Sequence, residues 1–454
     1  MNLLLSEIAQ RIGGVLSGDD LAVTGVSIDT RTLKPGDLYC AIKGERFDGD
    51  DFALQAEQGG ASAAILGRPQ SDLSIPYILV ADTRLALAEM AGLWREKQAI
   101  EVVGITGSNG KTTVKEMTAA ILATSGSVLF TQGNLNNDIG VPLTLLRLSH
   151  EHRYAVIEMG ANHAGEIAYT SRYAKPHVTI INNVGPAHLE GFGSLDGIAR
   201  AKGEIIGSLG PEGTAVLNHD DVYFSYWCEL AGSRKILSFG LREGADIRAE
   251  NIATQIVNGE FATTFDWIEE TSRFPMHLKL AGRHNVMNAL AAGAAARALG
   301  LDAATIARGL ENVKPVVGRL QPLIGRNGNI VIDDTYNANS ASFQAGLDVL
   351  LDIGGEPWVV LGAFGELGED SIAIHRQIGE TMKKQGVKRL FATGADARYT
   401  VDAFGNGASF FEKQDELNEA LQRELSGGET LLVKGSRSQR MERVVAALIE
   451  NYRN

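Results

Sequence analysis

Thr106-Gly107-Ser108-Asn109-Gly110-Lys111-Thr112-Thr113 sets two glycines, a lysine and three threonines between a β-forming run (102–105) and a segment with Val114, Met117 and Ile121 at helical spacing. That context suits a phosphate cradle. Glycines let backbone N–H groups come close to phosphate oxygens, and a helix N-terminus adds partial positive charge. Lys111 would reach the β and γ phosphates of ATP, and the Thr112 hydroxyl would ligate Mg²⁺. The spacing departs from GxxxxGK[ST], because Ile105 stands where the first glycine would be. The plainer alternative is an ordinary glycine-rich strand-to-helix turn.

Three further residues could share that chemistry. Glu158 closes the strand-like run 154–159, and ligands of open α/β sheets bind at the carboxyl ends of strands. A carboxylate there is a reasonable Mg²⁺ ligand, the alternative being a solvated strand-end acid. His188 follows the run 178–183, at a comparable position; a lone histidine is as readily structural as catalytic. Lys202 falls in the apolar stripe of a helix expected over 194–209, with Leu195, Ile198, Ile205 and Leu209. A lysine on a buried face either snorkels to water or loses its charge. A neutral buried amine can add CO₂ to become a carbamate, an anion able to bind Mg²⁺. The two readings of Lys202 stay open on sequence.

These groups need strand ends to carry them, and the chain offers three sets. Residues 1–83 read as a small α/β unit, with a helix over 3–12 and short β-like runs at 23–28, 38–42, 63–65 and 77–80. Residues 84–313 begin with a helix to 98, then alternate strand-like runs at 102–105, 128–130, 154–159, 178–181 and 215–217 with helical patterns; 246–280 is more β-like, and an Ala-rich helix covers 286–299. Residues 314–454 alternate again, with strands at 330–332, 358–361, 389–392 and 430–433 and helices near 340–353, 371–385, 415–425 and 438–451. Alternation of this kind implies α/β architecture with mainly parallel sheets covered on both faces. The central unit is expected to be a P-loop-type ATPase domain and the last a Rossmann-like doubly wound one.

Composition narrows the function classes. The 454 residues include 44% apolar and 21% charged residues, so several packed cores are expected rather than disorder. The net charge of −13 argues against a nucleic-acid binder, which normally presents a basic surface. Cys40 and Cys228 are the only cysteines, which forms no disulfide framework or CxxC metal pattern and fits the reducing cytoplasm. The first residues lack a basic region and a long apolar run, and no stretch approaches the 18 or so apolar residues of a membrane span, so neither a signal peptide nor membrane insertion is expected.

TGSNGKTT, the strand-end Glu158, His188 in AHLEGFG and Lys202 in ARAKGEI together resemble the Mur ligases of peptidoglycan precursor synthesis, over essentially the whole chain. KGERFDGDDFA, GNLNNDIGVPLTLLRL, EMGANHAGEI, AHLEGFGSLDGIARAKGEI and LVKGSRS resemble the members that join D-alanyl-D-alanine to UDP-N-acetylmuramoyl-tripeptide. The resemblance implies ATP on Gly107–Thr113, with Asn288 at the adenine, Arg319 at the phosphates and Asp334 at the ribose. It implies two Mg²⁺ ions among Thr112, Glu158, His188 and a carbamylated Lys202. Tyr336, Asn337 and Asn339 would line the cleft between the second and third domains. The N-terminal domain would hold the uridine nucleotide, with Ser27, Asp29, Thr30, Arg31 and the loop Lys43, Gly44, Glu45, Arg46 and Phe47 as candidates. Asn134 and Asn137 would face the peptide, and Lys434, Ser436 and Arg437 would belong to the amine-substrate or cleft-closing surface. A monomer is the working expectation. Two departures stand out: the family's LGDMAELGE is LGAFGELGE here, placing Ala363 where the family has Asp, and PGRL is Val317-Gly318-Arg319-Leu320. The competing readings are another ligase of this fold, such as a tripeptide-forming Mur ligase or folylpolyglutamate synthase, and a nucleotide-gated binding protein.

Overall fold

The computed structural model describes residues 1–185, 189–365 and 367–450. Three sheets dominate it. The first, with five strands, runs in the order Val15–Ser17, Tyr77–Leu79, Ala63–Leu66, Asp37–Cys40, Gly25–Ser27, parallel except for Val15–Ser17. The central sheet has nine strands. Its parallel part orders Lys235–Gly240, Thr214–Asn218, Val178–Ile181, Glu101–Thr106, Tyr154–Glu158 and Val128–Phe130, and it is extended by the antiparallel hairpins of Ile247–Val257, Glu260–Glu269 and Ser272–Leu278. The third sheet has six strands in the order Gln321–Ile324, Ile330–Asp334, Glu429–Lys434, Glu356–Gly362, Arg389–Thr393, Ala408–Phe411; only the first is antiparallel.

Strands such as Val178–Ile181 and Thr214–Asn218 are buried along their whole length, as expected of parallel strands covered on both faces. Helix Arg283–Ala298 supplies one cover. Its alanines from Ala289 to Ala296 and Gly293 are buried, and the small side chains let it sit close to helix Lys111–Ala123 and to Trp267, whose ring a methyl at Gly293 would meet at 2.5 Å. Helix Thr83–Glu96 joins the first sheet's core to the central one: Ala86, Leu87, Met90, Ala91 and Trp94 belong to one buried cluster with Leu38, Ile65, Leu145 and Ile157.

Two expectations about helices need correction. The helix expected over 194–209 is an α-helix at Leu195–Gly203, capped by Ser194 accepting from the Gly197 N–H, followed by a tighter 3-10 turn at Glu204–Ser208. Ile205 and Ile206 of the tighter turn are both in the core, while Leu195 at the far end of the helix is exposed, so the apolar stripe is not one straight line. The helix expected over 438–451 is Glu442–Leu448, because Arg440 takes a left-handed conformation (φ 50°) that ends the short turn Arg437–Gln439 first. Helix Ala397–Phe404, strand Gln321–Ile324 and edge strand Ala408–Phe411 lie outside the elements read in the sequence.

Candidate active site

The topology converges on one edge. Strand Glu101–Thr106 lies between Val178–Ile181 and Tyr154–Glu158, so the loop that leaves it emerges with Asn182 and Asn183 on one side and Glu158 on the other. Backbone and asparagine hydrogen bonds fix the loop. The Ser108 N–H donates to the Asn183 carbonyl (2.9 Å) and the Asn109 N–H to Asn183 Oδ1 (2.8 Å). Asn182 Nδ2 and Asn183 Nδ2 both donate to the Asn109 carbonyl, at 2.9 and 3.1 Å. Gly110 has φ +79°, and a methyl there would stand 2.5 Å from Asn288 Oδ1 and 2.6 Å from Asn182 Nδ2; close approach and a left-handed backbone both require glycine. Lys111 opens helix Lys111–Ala123, and its ammonium donates to the Gly107 carbonyl at 2.7 Å. Burial lowers its pKa, opposed by the nearby Glu158 carboxylate, with Arg319 adding to the lowering.

Glu158 is 2% exposed. Its Oε1 accepts from Asn136 Nδ2 at 2.9 Å and lies 3.4 Å from the Thr112 hydroxyl, and its backbone N–H donates to Thr131 Oγ1 at 3.0 Å. Its Oε2 is buried with no hydrogen-bond partner among the described residues. A buried carboxylate oxygen without donors is costly unless a cation lies against it. Together with the Thr112 hydroxyl it makes a hard-oxygen donor set that fits Mg²⁺. Lys202 is 4% exposed, and burial, then the charge of Lys111, brings its pKa well below the ordinary lysine value. It is therefore not a snorkelling lysine. An ammonium would not fit a metal site; a carbamate would. Among the described residues no three His, Cys, Asp or Glu side chains gather as a metal site, and His188 lies outside the described residues.

The third sheet faces this edge. In register, Asp334 sits directly opposite Lys434, and their side chains form an ion pair at 2.5 Å, both largely buried. The Lys434 ammonium also donates to the Asn337 carbonyl, and Asp334 Oδ1 accepts from the Leu320 N–H at 3.3 Å. Arg319 lies over the Tyr336 ring with its guanidinium carbon 4.5 Å from the centroid, and its Nη2 is 3.5 Å from the Thr112 hydroxyl. Asn339 caps helix Ser340–Ile353 by accepting from the Ser342 N–H, and its Nδ2 donates to Asn109 Oδ1 at 2.8 Å, bridging the two sheets' loops.

Two cavities lie along the junction. One, of 380 Å³, is lined by Asn109, Gly110, Asn182, Asn285, Asn288 and His284 on the central side and by Arg319, Asp334 and Ser342 on the other. Burial pushes the His284 pKa down to about 4, so the ring is neutral at pH 7. The second, of 460 Å³, joins Ser108–Thr112, Asn134, Asn136 and Glu158 to Arg319, Tyr336–Asn339, Gly365 and Lys434. Thr113 lines the first cavity and Lys111 the second.

The remaining candidates divide. Asn288 lines the first cavity but spends its amide internally, accepting from Asn182 Nδ2 and donating to Asn285 Oδ1. Asn134 lines the second cavity; Asn137 instead turns its Oδ1 to the Gly140 N–H at 2.8 Å, at the start of helix Gly140–Leu146, and neighbouring Asn136 makes the Glu158 contact. Lys434 lines the second cavity while paired to Asp334. Ser436 donates to the Ala363 carbonyl, and Arg437 points outward, 3.6 Å from Glu442; neither is among the described residues lining these two cavities. The N-terminal candidates form their own cluster. Ser27 Oγ donates to the Asp29 carbonyl, Thr30 is half-buried, and the Arg31 guanidinium makes three contacts with the Asp29 carboxylate, lowering the Asp29 pKa to about 2 from the ordinary 3.8. The Lys43–Phe47 turn is closed by the Gly44 N–H to the Phe47 carbonyl, with Glu45, Arg46 and the Phe47 ring exposed. Asn136, Asn182, Asn183 and Asn285 are missed by sequence reasoning. The Asn182-Asn183 pair at the end of an apolar strand was the available signal.

Known proteins share this arrangement. Residues 22–95 match the Mur ligase family catalytic domain, 105–296 the Mur ligase middle domain and 318–437 the Mur ligase glutamate ligase domain. The UDP-N-acetylmuramoyl-tripeptide–D-alanyl-D-alanine ligase of Escherichia coli K12 is 44% identical over 99% of both chains, and that of Bacillus subtilis 33% identical over 98% of both. A crystal structure of MurF from Acinetobacter baumannii superposes with a TM-score of 0.93 at 38% identity over 99% of both chains. The MurF ligase of Thermotoga maritima in complex with ADP gives 0.84 at 30% identity, over 94% of this chain and 97% of that one. With full-length relatives well above 30% identity, this chain belongs to the Mur ligase family.

Proposed function

We propose that the protein is an ATP-dependent amide ligase that joins D-alanyl-D-alanine to UDP-N-acetylmuramoyl-tripeptide in the cytoplasm, through an acyl phosphate, releasing ADP and phosphate. The observation that carries this reading is the 460 Å³ cleft in which Lys111, Thr112 and Glu158 face Arg319, Tyr336 and Asn337. It is supported by the identity of relatives bearing that activity in their names along nearly their whole length. The folylpolyglutamate synthase of Mycobacterium tuberculosis, at 15% identity, shares the fold alone.

The chemistry follows from the groups present. A carboxylate does not acylate an amine in water because its leaving group is poor. Phosphoryl transfer from ATP to the acceptor carboxylate converts it to an acyl phosphate; the neutral amine attacks the carbonyl carbon, and phosphate departs. Lys111 turns from the Gly107 carbonyl to the β and γ phosphates, and N–H groups at the start of helix Lys111–Ala123 hold the remaining oxygens. Arg319 approaches the transferred phosphoryl from the opposite sheet, already oriented by Tyr336. Thr112 and Glu158, with carbamylated Lys202 and His188, would hold the two Mg²⁺ ions, which when bound offset the charge gathered between triphosphate and carboxylate. The 380 Å³ cavity takes the adenosine, with Asn288 and neutral His284 at the base and Asp334 toward the ribose. The uridine nucleotide lies on the N-terminal unit near Arg31 and the Lys43–Phe47 turn, within a division of the chain at 1–83, 84–313 and 314–454.

The test is a coupled assay. ADP release requiring both UDP-N-acetylmuramoyl-tripeptide and D-alanyl-D-alanine, with formation of the pentapeptide product, is expected. ATP hydrolysis indifferent to both would favour a nucleotide-gated switch and sink this reading.

A further inference from the structure

Lys115 has no part in the chemistry above, yet it is one of the most deeply buried cations of the chain, 1% exposed. It lies one turn beyond Lys111 in helix Lys111–Ala123. Its ammonium donates to the Thr131 carbonyl at 2.8 Å, sits 3.0 Å from Glu116 Oε1 and lies 5.7 Å from the centre of the Phe130 ring. A buried ammonium is costly, and an apolar residue of similar volume would pack there at lower cost. Its retention points to the group it holds.

Thr131 is that group. It follows strand Val128–Phe130, its N–H donates to the Val156 carbonyl at 3.1 Å, and its hydroxyl accepts the N–H of Glu158. It also begins the turn that carries Asn136, whose amide holds Glu158 Oε1 and whose carbonyl accepts the Gly160 N–H at 2.9 Å. Two of the contacts on Glu158 thus come from one segment, Thr131 fixing its backbone and Asn136 one carboxylate oxygen, and the third, from the Thr112 hydroxyl 3.4 Å from Oε1, comes from the phosphate-loop helix. Among the described residues Oε2 has no partner.

We propose that Lys115 is a positioning residue. By clamping Thr131 to the phosphate-loop helix, it locks the distance between that helix and the Glu158 strand end, and keeps Oε2 of Glu158 turned to the side where the phosphates and their cation meet. This rests on Glu158 serving the cation, as in the function proposed above.

The test compares ADP affinity, by calorimetric titration of the full chain, in EDTA and in Mg²⁺. Lys115→Met and Thr131→Val are expected to keep ADP affinity in EDTA within about twofold, and to cut the tightening by Mg²⁺ at least about threefold. Thr131→Ser, which keeps the hydroxyl, should retain the parental tightening. Glu158→Gln separates the two ideas. If it keeps the parental Mg²⁺ effect, the reading of Glu158 fails. If it loses that effect while Lys115→Met and Thr131→Val both keep it, the positioning role is overturned. Loss of ADP affinity in EDTA as large as the loss of Mg²⁺ tightening would also overturn it, because Lys115 would then be supporting the helix alone.

Discussion

The central and third sheets bring strand ends to the same cleft and hold them differently. On the central sheet it is the loop's own backbone that is held: the Ser108 and Asn109 N–H groups and the Asn109 carbonyl are paired with the backbone and amides of Asn182 and Asn183, and Gly110 is packed against Asn182 and Asn288. On the third sheet it is side chains that are held: Asp334 pairs with Lys434, Arg319 rests on Tyr336, and Asn339 caps a helix while reaching across to Asn109. A backbone lattice has its geometry once the strands pair. Part-buried side-chain contacts such as Arg319 on Tyr336 and Asn339 on Asn109 can be exchanged for ligand contacts, with the buried Asp334–Lys434 pair as their anchor. The phosphate grip is therefore built in advance, whereas the facing half is adjustable, as a closing domain requires.

The comparison is broken most severely at Lys202, a buried central-side amine whose charged form burial and the charge of Lys111 disfavour. Lys202→Ala is expected to lower kcat by roughly 10²–10³, the scale of losing one preorganised charge-stabilising group. Added short-chain carboxylates should restore part of it, and removing dissolved CO₂ should lower the parent's rate reversibly. An unchanged rate in CO₂-free buffer would exclude the carbamate. Stability gives a second readout. The folded-state pKa is depressed by burial, so between that pKa and about 10.5 the unfolded chain binds the extra proton and stability rises with pH. In CO₂-free buffer Lys202→Met should be more stable than the parent at pH 7, with the gain shrinking as pH approaches 10.5. A gain independent of pH would mean that shape, not charge, was relieved.

On the third sheet the corresponding break is Asp334→Asn. It leaves the Lys434 ammonium buried without its counter-charge, a loss of about 3 kcal/mol in unfolding free energy. Adding Lys434→Met should recover most of that stability in a denaturant titration while activity stays low. If the double variant is no more stable than Asp334→Asn, the pair is not what holds these two strand ends.

The difference between the two halves also explains what could be read from the sequence. A backbone-built site needs particular residue types at fixed spacing, so the loop around Lys111 and the strand-end Glu158 were legible. The burial of Lys202 was legible from helical period, although the helix tightens at Glu204 and the stripe bends with it. The third sheet's contacts are made between strands far apart in the chain. Asp334 and Lys434 meet only because Glu429–Lys434 inserts beside Ile330–Asp334, a strand order that periodicity does not contain. Resemblance supplied these residues and placed Lys434 on the amine-substrate or cleft-closing surface; the structure adds that Lys434 pairs with Asp334 while lining the second cavity. Asn136 and Asn137 show the limit at shortest range: neighbours of one residue type, of which one reaches Glu158 and the other accepts the Gly140 N–H.

The smallest expected effect is the most discriminating for closure. Asn339 does two jobs with two ends of one amide: Oδ1 accepts the Ser342 N–H, and Nδ2 donates to Asn109. Asn339→Asp keeps the acceptor and gains favourable charge at the helix start, but has no donor for Asn109. Asn339→Ala loses both. Each should raise the KM for ATP by about threefold to tenfold, the worth of one net hydrogen bond. Only Asn339→Ala should also lose about 1 kcal/mol of stability. If Asn339→Asp keeps the parental KM, the Asn109 bridge adds nothing to nucleotide capture, and closure depends on Arg319 reaching the loop at Thr112. If it matches Asn339→Ala in KM and the parent in stability, the bridge is the point at which an adjustable half is fastened to a fixed one.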